Sequence, residues 1–172
     1  VGIAIGCAGV TALQDLRGQT DMFGRTLQVS EVAVADSIAA AAVLVMGEAA
    51  PRSGEEAFAR LARKAFSRYP GLQQIAATGR LEQSASRHEL RGMLATRDGI
   101  ITSGPLVAEP IVDRIGTGDA FAAALLLAML ERLPPRRALD LAVAACVLKH
   151  SFQGDFNLAT RALLAPQSTH PD

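Results

Sequence analysis

The chain is poor in cysteine. Cys7 and Cys146 are its two cysteines, and both lie in apolar stretches far apart in the sequence. A disulfide-stapled scaffold or a cysteine-rich metal site needs several cysteines at short, regular spacing. Both kinds of protein are therefore excluded, and no metal site is expected. We expect the two cysteines to be small core residues of a protein in the reducing cytosol.

The chain also lacks net charge and a long hydrophobic run. Its 17 basic and 17 acidic residues cancel, so neither nucleic acid nor an anionic membrane is an expected partner. The longest apolar run, Ala120 to Leu130, is about half of the roughly 20 residues that a bilayer span needs. Because no signal peptide is recognisable either, we expect a soluble, cytoplasmic protein. Val1 is not expected to be the biological start.

Hydrophobic periodicity predicts alternating strands and helices. Residues 53–56 have the Ser-x-x-Glu pattern of a capping box, and Pro70 with Gly71 ends the helix behind it. Apolar runs and turn residues predict the elements that follow: a strand at 74–78, a hairpin from 90 to 102 that turns at 97–99, a strand at 107–112, and helices at 119–133, 137–150 and 157–164. This order indicates a layered α/β domain, with helices packed on the faces of a central sheet.

The most informative segment is residues 113–121, Asp-Arg-Ile-Gly-Thr-Gly-Asp-Ala-Phe. Glycines on both sides of Thr117 let the backbone turn, so that successive N–H groups point into one concavity. The predicted helix begins at once and adds the positive end of its dipole. Gly116, Thr117 and Gly118 are therefore expected to form an anion hole for a phosphate; the alternative is a plain turn.

Asp119 lies at the rim of this predicted anion hole. Its carboxylate can take the proton of an attacking hydroxyl while the N–H groups receive the charge that grows on the phosphate. An Asp at a helix start can also act only as a cap. The flanking glycines and the helix that follows favour the catalytic interpretation.

Three segments resemble one known family. Residues 113–121 resemble the Asp-x-x-Gly-(Ala/Thr/Gly)-Gly-Asp-x-Phe signature of ribokinase-type (phosphofructokinase-B type) carbohydrate kinases. Residues 148–157, Leu-Lys-His-Ser-Phe-Gln-Gly-Asp-Phe-Asn, resemble a narrower motif of 2-keto-3-deoxygluconate kinases. Residues 78–80 and 84–86, Thr-Gly-Arg and Ser-Ala-Ser, resemble a stretch of one bacterial branch of those kinases. The matches follow the family's order over roughly residues 72–160.

The resemblance implies ATP-dependent phosphorylation of a sugar acid, most specifically 2-keto-3-deoxygluconate, with Mg²⁺ bridging the phosphates. It implies that Asp119 deprotonates the primary hydroxyl and that Asp155 holds hydroxyls of the sugar acid. Thr78 and Arg80 would belong to the nucleotide site. Residues 21–27 resemble a degraded form of a substrate motif in which Arg25 would contact the sugar; the alternative is that Arg25 is a loop arginine.

Several of these residues have a structural alternative. Arg80 is equally compatible with a solvated surface arginine, and Asp155 with a cap for the helix that Asn157 opens. Lys149 and His150 end a predicted helix, where the dipole favours cations without any function. We expect that structural role for His150.

The chain departs from the family in length and in one motif. Ribokinase-type kinases are about twice as long, and their first half, with a small lid sheet over the sugar, is not visible here. Ala39–Ala42 stands where the family has an Asn-x-x-Glu motif that organises Mg²⁺. We therefore interpret residues 1–172 as a single incomplete ribokinase-like domain, the nucleotide- and phosphoryl-transfer half.

Two classes of function follow from the sequence. The first is a kinase for 2-keto-3-deoxygluconate, or for another sugar such as fructose or ribose, with the sugar and ATP as partners and self-association into a homo-oligomer left open. The second is a non-catalytic remnant that binds nucleotide or a partner subunit. ATP binding measured beside turnover separates the two classes.

Overall fold

The computed structural model describes residues 3–6, 32–35 and 54–164. These residues form six strands and four helices. The strands are β1 (Ile3–Gly6), β2 (Val32–Ala35), β3 (Gln74–Ser84), β4 (Arg87–Thr96), β5 (Ile100–Thr102) and β6 (Leu106–Ala108). The helices are α1 (Glu55–Arg68), α2 (Thr117–Leu130), α3 (Pro135–Lys149) and α4 (Arg161–Leu164).

The six strands form one mixed sheet. Its order is β1-β2-β3-β4-β5, and β6 also pairs with β4. β1, β2 and β3 run parallel, whereas β3 and β4 form a long antiparallel hairpin. β5 and β6 pair with opposite ends of β4, next to Met93–Ala95 and His88–Leu90 respectively. The sheet is therefore parallel on one side of β3 and antiparallel on the other.

Helix α1 covers one face of the sheet. Its buried residues recur at helical spacing, which gives the helix one apolar side. Phe58 and Leu61 are fully buried and pack with Ile75 of β3 and Met93 of β4. Alternate residues of each strand point to this face. The result is a small core between α1 and the middle of the hairpin.

Helices α2 and α3 cover the opposite face. Leu94 of β4 packs there in one cluster with Leu125 of α2 and with Leu139 and Val143 of α3. Only residues 131–134 separate the two helices, and so short a connection makes them antiparallel neighbours. The start of α2 and the end of α3 therefore lie at the same end of the helix pair.

The predicted layered α/β architecture is confirmed, with local differences. The turn at 97–99 joins β4 to β5 as expected, but β3 continues to Ser84 and a second turn at 85–86 leads into β4. The end of this hairpin is polar and exposed, so main-chain pairing rather than an apolar pattern extends the strands. Helix α1 begins after Gly54 with no side-chain cap; Ser53 lies outside the described residues.

Two further predictions were too long. The strand expected at 107–112 ends at Ala108, because Pro110 has no N–H to donate to a ladder. The helix expected at 157–164 is limited to α4, which begins at Arg161. Before it, Asn157 accepts a hydrogen bond from the Ala159 N–H at 2.9 Å and forms a local turn instead.

Replacing Gly92 of β4 by alanine is predicted to destabilise the fold. An added Cβ would lie 2.6 Å from Val143 Cγ2 and 2.7 Å from Leu139 Cδ1, and both side chains are buried and tightly packed. Overpacking of this kind lowers the free energy of unfolding by about 1–3 kcal/mol. Urea denaturation measures the loss.

The matched control is Gly99→Ala. A Cβ at Gly99 meets nothing within 4 Å, so the stability should change by no more than about 0.5 kcal/mol. Equal stability of the Gly92→Ala and Gly99→Ala variants would contradict the close packing of α3 on β4.

Candidate functional site

The candidate site begins at the N-terminus of α2. Gly116 is the N-cap residue and has a left-handed backbone with φ 74°, a conformation that favours glycine. Its carbonyl accepts the Ala120 N–H at 2.9 Å and starts the helix. Thr117 is buried, and its hydroxyl donates to the Arg114 carbonyl at 3.1 Å. The N–H groups of the first turn have no partner within the helix, as at any helix start.

A second loop lies directly against this helix start. An added Cβ on Gly116 would lie 2.9 Å from the Asp155 carbonyl oxygen and 3.2 Å from its Oδ1. Glycine is therefore required at 116 both for its φ and for the close approach. The structure brings Gly116 together with Asp155, and Thr117 and Gly118 follow Gly116 in the first turn of α2. Asp119, in the first turn of α2, has an exposed side chain.

Asp155 is not a helix cap. The alternative from the sequence placed it before a helix opened by Asn157, whereas α4 begins only at Arg161. The close approach to Gly116 explains its position instead. Its carboxylate lies where the positive end of the α2 dipole favours negative charge.

Asp113 connects the two loops. Its Oδ1 accepts the N–H groups of Arg114 at 2.6 Å and Ile115 at 3.0 Å, and its Oδ2 accepts the Gly154 N–H at 2.8 Å. The Ile115 and Gly154 hydrogen bonds are the main reasons why the pKa of Asp113 lies below its usual value. The sequence analysis assigned no role to Asp113, although it is the first residue of the motif.

Lys149 binds the loop that carries Asp155. The side chain is fully buried at the end of α3, and Nζ donates to the carbonyls of Phe152 at 3.3 Å and Gly154 at 2.6 Å. The sequence predicted only a favourable interaction with the helix dipole. The structure adds specific bonds to the loop that carries Asp155.

His150 joins α3 to the first loop through its backbone. Its carbonyl accepts the N–H groups of Val112 at 2.8 Å and Asp113 at 3.2 Å. Its ring Nδ1 lies 2.8 Å from the Cys146 carbonyl. These contacts give His150 a structural role, but not the expected one of a cation at the helix C-terminus, because burial lowers the pKa of its ring. The Cys146 thiol is buried, and burial raises its pKa to about 12, as expected for an inert core thiol.

His88 and His150 form a buried pair beside this loop. Their ring centroids are 6.2 Å apart and the rings are nearly perpendicular. Each histidine is 1% exposed, and neither His88 Nδ1 nor His150 Nε2 has a hydrogen-bond partner. Burial lowers the pKa of both, and the positive charges of Arg80 and Arg114 lower both further.

Thr78 and Arg80 lie two residues apart on β3, so they face the same side of the sheet. Thr78 is buried and Arg80 is half-buried. The Arg80 charge acts on both His88 and His150, so Arg80 lies near the buried histidine pair. Arg25, the remaining predicted substrate residue, lies outside the described residues.

The hairpin end borders the same loop. Arg114 pairs with Glu82 at 3.2 Å, and the Ile111 N–H donates to the Ser86 carbonyl at 3.1 Å. Ser84 and Ser86 contact each other within the turn, with their hydroxyl oxygens 3.5 Å apart. These serines stabilise the turn, and the turn supports the loop before α2.

A cavity of about 390 Å³ lies on the α1 face of the hairpin, lined in part by Gly79, Glu89, Arg91 and Met93. Gly79 faces Met93 in the α1 core, so the cavity opens on the side of the sheet away from α2. Within the described ranges, no helix is long and apolar enough to span a membrane. No group of three or more His, Cys, Asp or Glu there could hold a metal ion.

Comparison of the sequence with known proteins identifies a second likeness at the start of the chain. Residues 1–53 match the family model described as F420-0:Gamma-glutamyl ligase. The coenzyme F420:L-glutamate ligase of Methanocaldococcus jannaschii is 57% identical over 49 residues, which are 28% of this chain and 20% of that protein. The ligase of Methanothermobacter thermautotrophicus is 53% identical over 49 residues, 28% and 19% of the two chains. Residues 21–27, interpreted above as a kinase motif, lie inside this segment.

Comparison of the structure finds carbohydrate kinases. A PfkB family carbohydrate kinase from Listeria grayi has a TM-score of 0.66 and 30% identity over 83% of this chain and 42% of that kinase. The 2-dehydro-3-deoxygluconokinase of Thermotoga maritima has a TM-score of 0.73 and 25% identity over 83% and 43%. An Arabidopsis thaliana ribokinase, complexed with ribose and ATP, has a TM-score of 0.63 and 17% identity over 98% and 47%.

These comparisons show that the fold is ribokinase-like. The chain spans less than half the length of the kinases and about one fifth of the ligases. The resemblance of residues 72–160 to carbohydrate kinases therefore agrees with the structure, whereas the ligase likeness of residues 1–53 was not recognised from the sequence.

The buried histidine pair predicts that stability falls as the pH is lowered from about 7 to about 5. The unfolded chain takes up protons near pH 6.5, whereas the folded pair, with its lowered pKa values, stays neutral to lower pH. The unfolded state then binds more protons, so each histidine lowers the free energy of unfolding by at most about 1.4 kcal/mol per pH unit. Above about pH 7.5 the unfolded histidines are neutral as well, so the pair contributes almost no pH dependence there.

Thermal unfolding of the wild type and of the His88→Gln/His150→Gln variant checks this prediction. The double variant should lose most of the pH dependence in that range, while His170 remains in both proteins as an internal control. Asp113 does not interfere, because a lowered carboxyl pKa removes stability only below about pH 5, and Asp113 is present in both proteins. An unchanged pH dependence in the double variant would contradict the burial of the pair.

Proposed function

We propose that residues 54–164 form the phosphoryl-transfer half of a carbohydrate kinase that uses ATP to phosphorylate a sugar acid. The observation that carries the proposal is the close approach of Gly116 to Asp155. It combines a helix N-terminus, which attracts phosphate, with a carboxylate that can bind sugar hydroxyls. The likeness to the Thermotoga maritima 2-dehydro-3-deoxygluconokinase and the motif at 148–157 support 2-keto-3-deoxygluconate as the substrate.

Each part of the site has a role in this proposal. Asp119 takes the proton from the primary hydroxyl as the hydroxyl oxygen attacks the γ-phosphate of ATP. The N–H groups of Gly116, Thr117 and Gly118 stabilise the negative charge that grows on the transferred phosphate. Asp155 accepts hydrogen bonds from hydroxyls of the sugar acid and thereby orients it.

The nucleotide is proposed to lie along the end of β3, with Thr78 and Arg80 contributing to its site. Arg80 supplies positive charge near the base of the anion-hole loop, which suits a polyphosphate. Mg²⁺ bound with ATP would neutralise part of the phosphate charge. No described residue is assigned to hold the ion, and the roles above do not depend on it.

A second candidate function follows from residues 1–53. Their likeness to coenzyme F420:L-glutamate ligases supports transfer of glutamate onto coenzyme F420. The match covers 20% of the Methanocaldococcus jannaschii ligase, whereas the anion hole and Asp155 lie in the part with the kinase fold. The kinase proposal is therefore the better supported of the two.

Three measurements on the purified chain separate the candidate functions. ATP-dependent phosphorylation, tested with 2-keto-3-deoxygluconate, fructose and ribose, should be highest with the sugar acid. A preference for fructose or ribose would support the kinase class but contradict the assignment of a sugar acid as the substrate. ATP binding without turnover would indicate the non-catalytic remnant, and glutamylation of coenzyme F420 would indicate the ligase.

Asp119→Asn is predicted to lower the phosphorylation rate by about 10²–10⁴-fold, the usual contribution of a general base. The amide keeps the size of the side chain and an oxygen that can cap α2, so ATP affinity should change little. Steady-state kinetics and calorimetric titration with ATP measure the two quantities.

Asp98→Asn is the matched control, since Asp98 is an exposed carboxylate in the turn before β5. Its rate should equal that of the wild type. Normal turnover in the Asp119→Asn variant would remove Asp119 from the mechanism.

Asp155→Ala is predicted to raise the KM for 2-keto-3-deoxygluconate by at least about tenfold, because a charge-assisted hydrogen bond contributes about 1.5–3 kcal/mol. The KM for ATP should stay nearly unchanged. Asp155→Asn keeps one acceptor oxygen and should lie between the wild type and the alanine variant. A sugar KM that is the same in all three proteins would separate Asp155 from substrate binding.

A further inference from the structure

Lys149 is a buried cation that the phosphoryl-transfer roles above do not use. The other lysine of the chain, Lys64, is exposed on α1. Lys149 is 0% exposed, and its Nζ is bonded to the carbonyls of Phe152 and Gly154. Burial of a charged amine is unfavourable unless other groups compensate it, so these contacts need an explanation beyond the filling of space.

The surroundings of the ammonium group belong to both loops of the site. On one side are the carbonyls of Phe152 and Gly154, and Asp155 follows directly after Gly154. On the other side, Lys149 Cε lies 3.4 Å from the position of a Cβ on Gly116. The positive charge of Lys149 also contributes to the lowered pKa of Asp113. The cation therefore lies where the end of α3, the anion-hole loop and the Asp155 loop meet.

The two polar bridges between these loops have opposite chemistry. The Asp113 carboxylate accepts hydrogen bonds from main-chain N–H groups, including that of Gly154. Lys149 donates to the carbonyl of the same residue. Both groups of the Gly154 main chain are thus fixed by charged side chains. Hydrogen bonds to charged groups are stronger than neutral ones, so together they define the orientation of Gly154, whose φ is 81°, and of Asp155 after it.

We propose that Lys149 is a positioning residue, a built-in cation that holds the Asp155 loop in register with the anion-hole loop. Removal of the side chain beyond Cβ leaves carbonyl oxygens and the Asp113 carboxylate around a space that suits a small monovalent cation. In a truncated variant, free ammonium or potassium ions then replace the missing charge. The consequence for the sugar acid rests on the proposed function, whereas cation binding and loop stability do not.

The experiment compares Lys149→Ala and Lys149→Met with the wild type and with the control Lys64→Ala. Thermal unfolding is measured in ammonium, potassium or tetramethylammonium chloride at equal concentration, because tetramethylammonium is too large to enter and has no N–H to donate. The wild type and Lys64→Ala should unfold at the same temperature in all three salts. Lys149→Ala should unfold several degrees lower in tetramethylammonium and recover in ammonium or potassium.

The KM for the sugar acid shows whether the relative position of the two loops changes as well. In tetramethylammonium, the KM of Lys149→Ala for the sugar acid should rise by about tenfold or more, and ammonium should reverse the rise. If the chain has no kinase activity, the proposed function fails while the salt dependence of unfolding still tests Lys149. If activity is present and unfolding of Lys149→Ala does not depend on the cation, the inference on Lys149 alone fails.

The uncharged Lys149→Met variant separates charge from packing. A purely apolar role predicts that Met, which has a similar length, unfolds at the wild-type temperature; this result would overturn the proposal. If neither truncated nor apolar variants fold in any salt, Lys149→Arg and Lys149→Gln decide, because both keep N–H donors and differ in charge. The Arg variant should be the more stable of the two, and equal stability would contradict a requirement for the cation.

Discussion

The candidate site depends on one close approach, that of the Gly116 backbone to the loop that carries Asp155. The approach brings a carbonyl and a carboxylate against the start of a helix, where the positive end of the dipole favours negative charge. It is maintained by two polar connections of opposite sign, from Asp113 to main-chain N–H groups and from Lys149 to main-chain carbonyls. These connections fix the position of one loop relative to the other. The chemistry proposed for the site depends on that relative position.

The remainder of the fold brings these loops to the same place. Helices α2 and α3 are antiparallel neighbours joined by residues 131–134, so the positive end of α2 lies beside the negative end of α3. The first attracts anions, and the second favours a cation such as Lys149. The β3–β4 hairpin supports this arrangement from the sheet, since its turn binds Ile111 and its strand supplies the partner of Arg114. The site is therefore built at the ends of elements, whereas their middles form the core.

The sheet joins two parts of the chain that resemble different proteins. β1 and β2 lie within residues 1–53, which match the ligase family. They pair in parallel with each other, and β2 pairs in parallel with β3 of the part that resembles kinases. Parallel pairing uses main-chain groups that every residue possesses. Both strands consist almost entirely of Val, Ala and Ile, the composition typical of buried parallel strands. Pairing of this kind carries no information on function, which has to be argued from the loops at 113–119 and 149–155.

The sequence by itself determined the α/β class, the turn at 97–99, and the glycine-containing start of the helix that carries Asp119, because hydrophobic period, turn residues and paired glycines are local signals. It also indicated Asp155, through a motif rather than through any physical constraint visible in the chain. Only the tertiary structure decided the extension of the hairpin to Ser84, the role of Asp113, and the burial of Lys149 between two loops. These features depend on which groups the fold brings together: the paired main chains of β3 and β4, the Gly154 N–H that binds Asp113, and the Gly116 loop that lies against Lys149. The sequence shows which groups are able to form such contacts, whereas the folded structure shows which of them are close enough to do so.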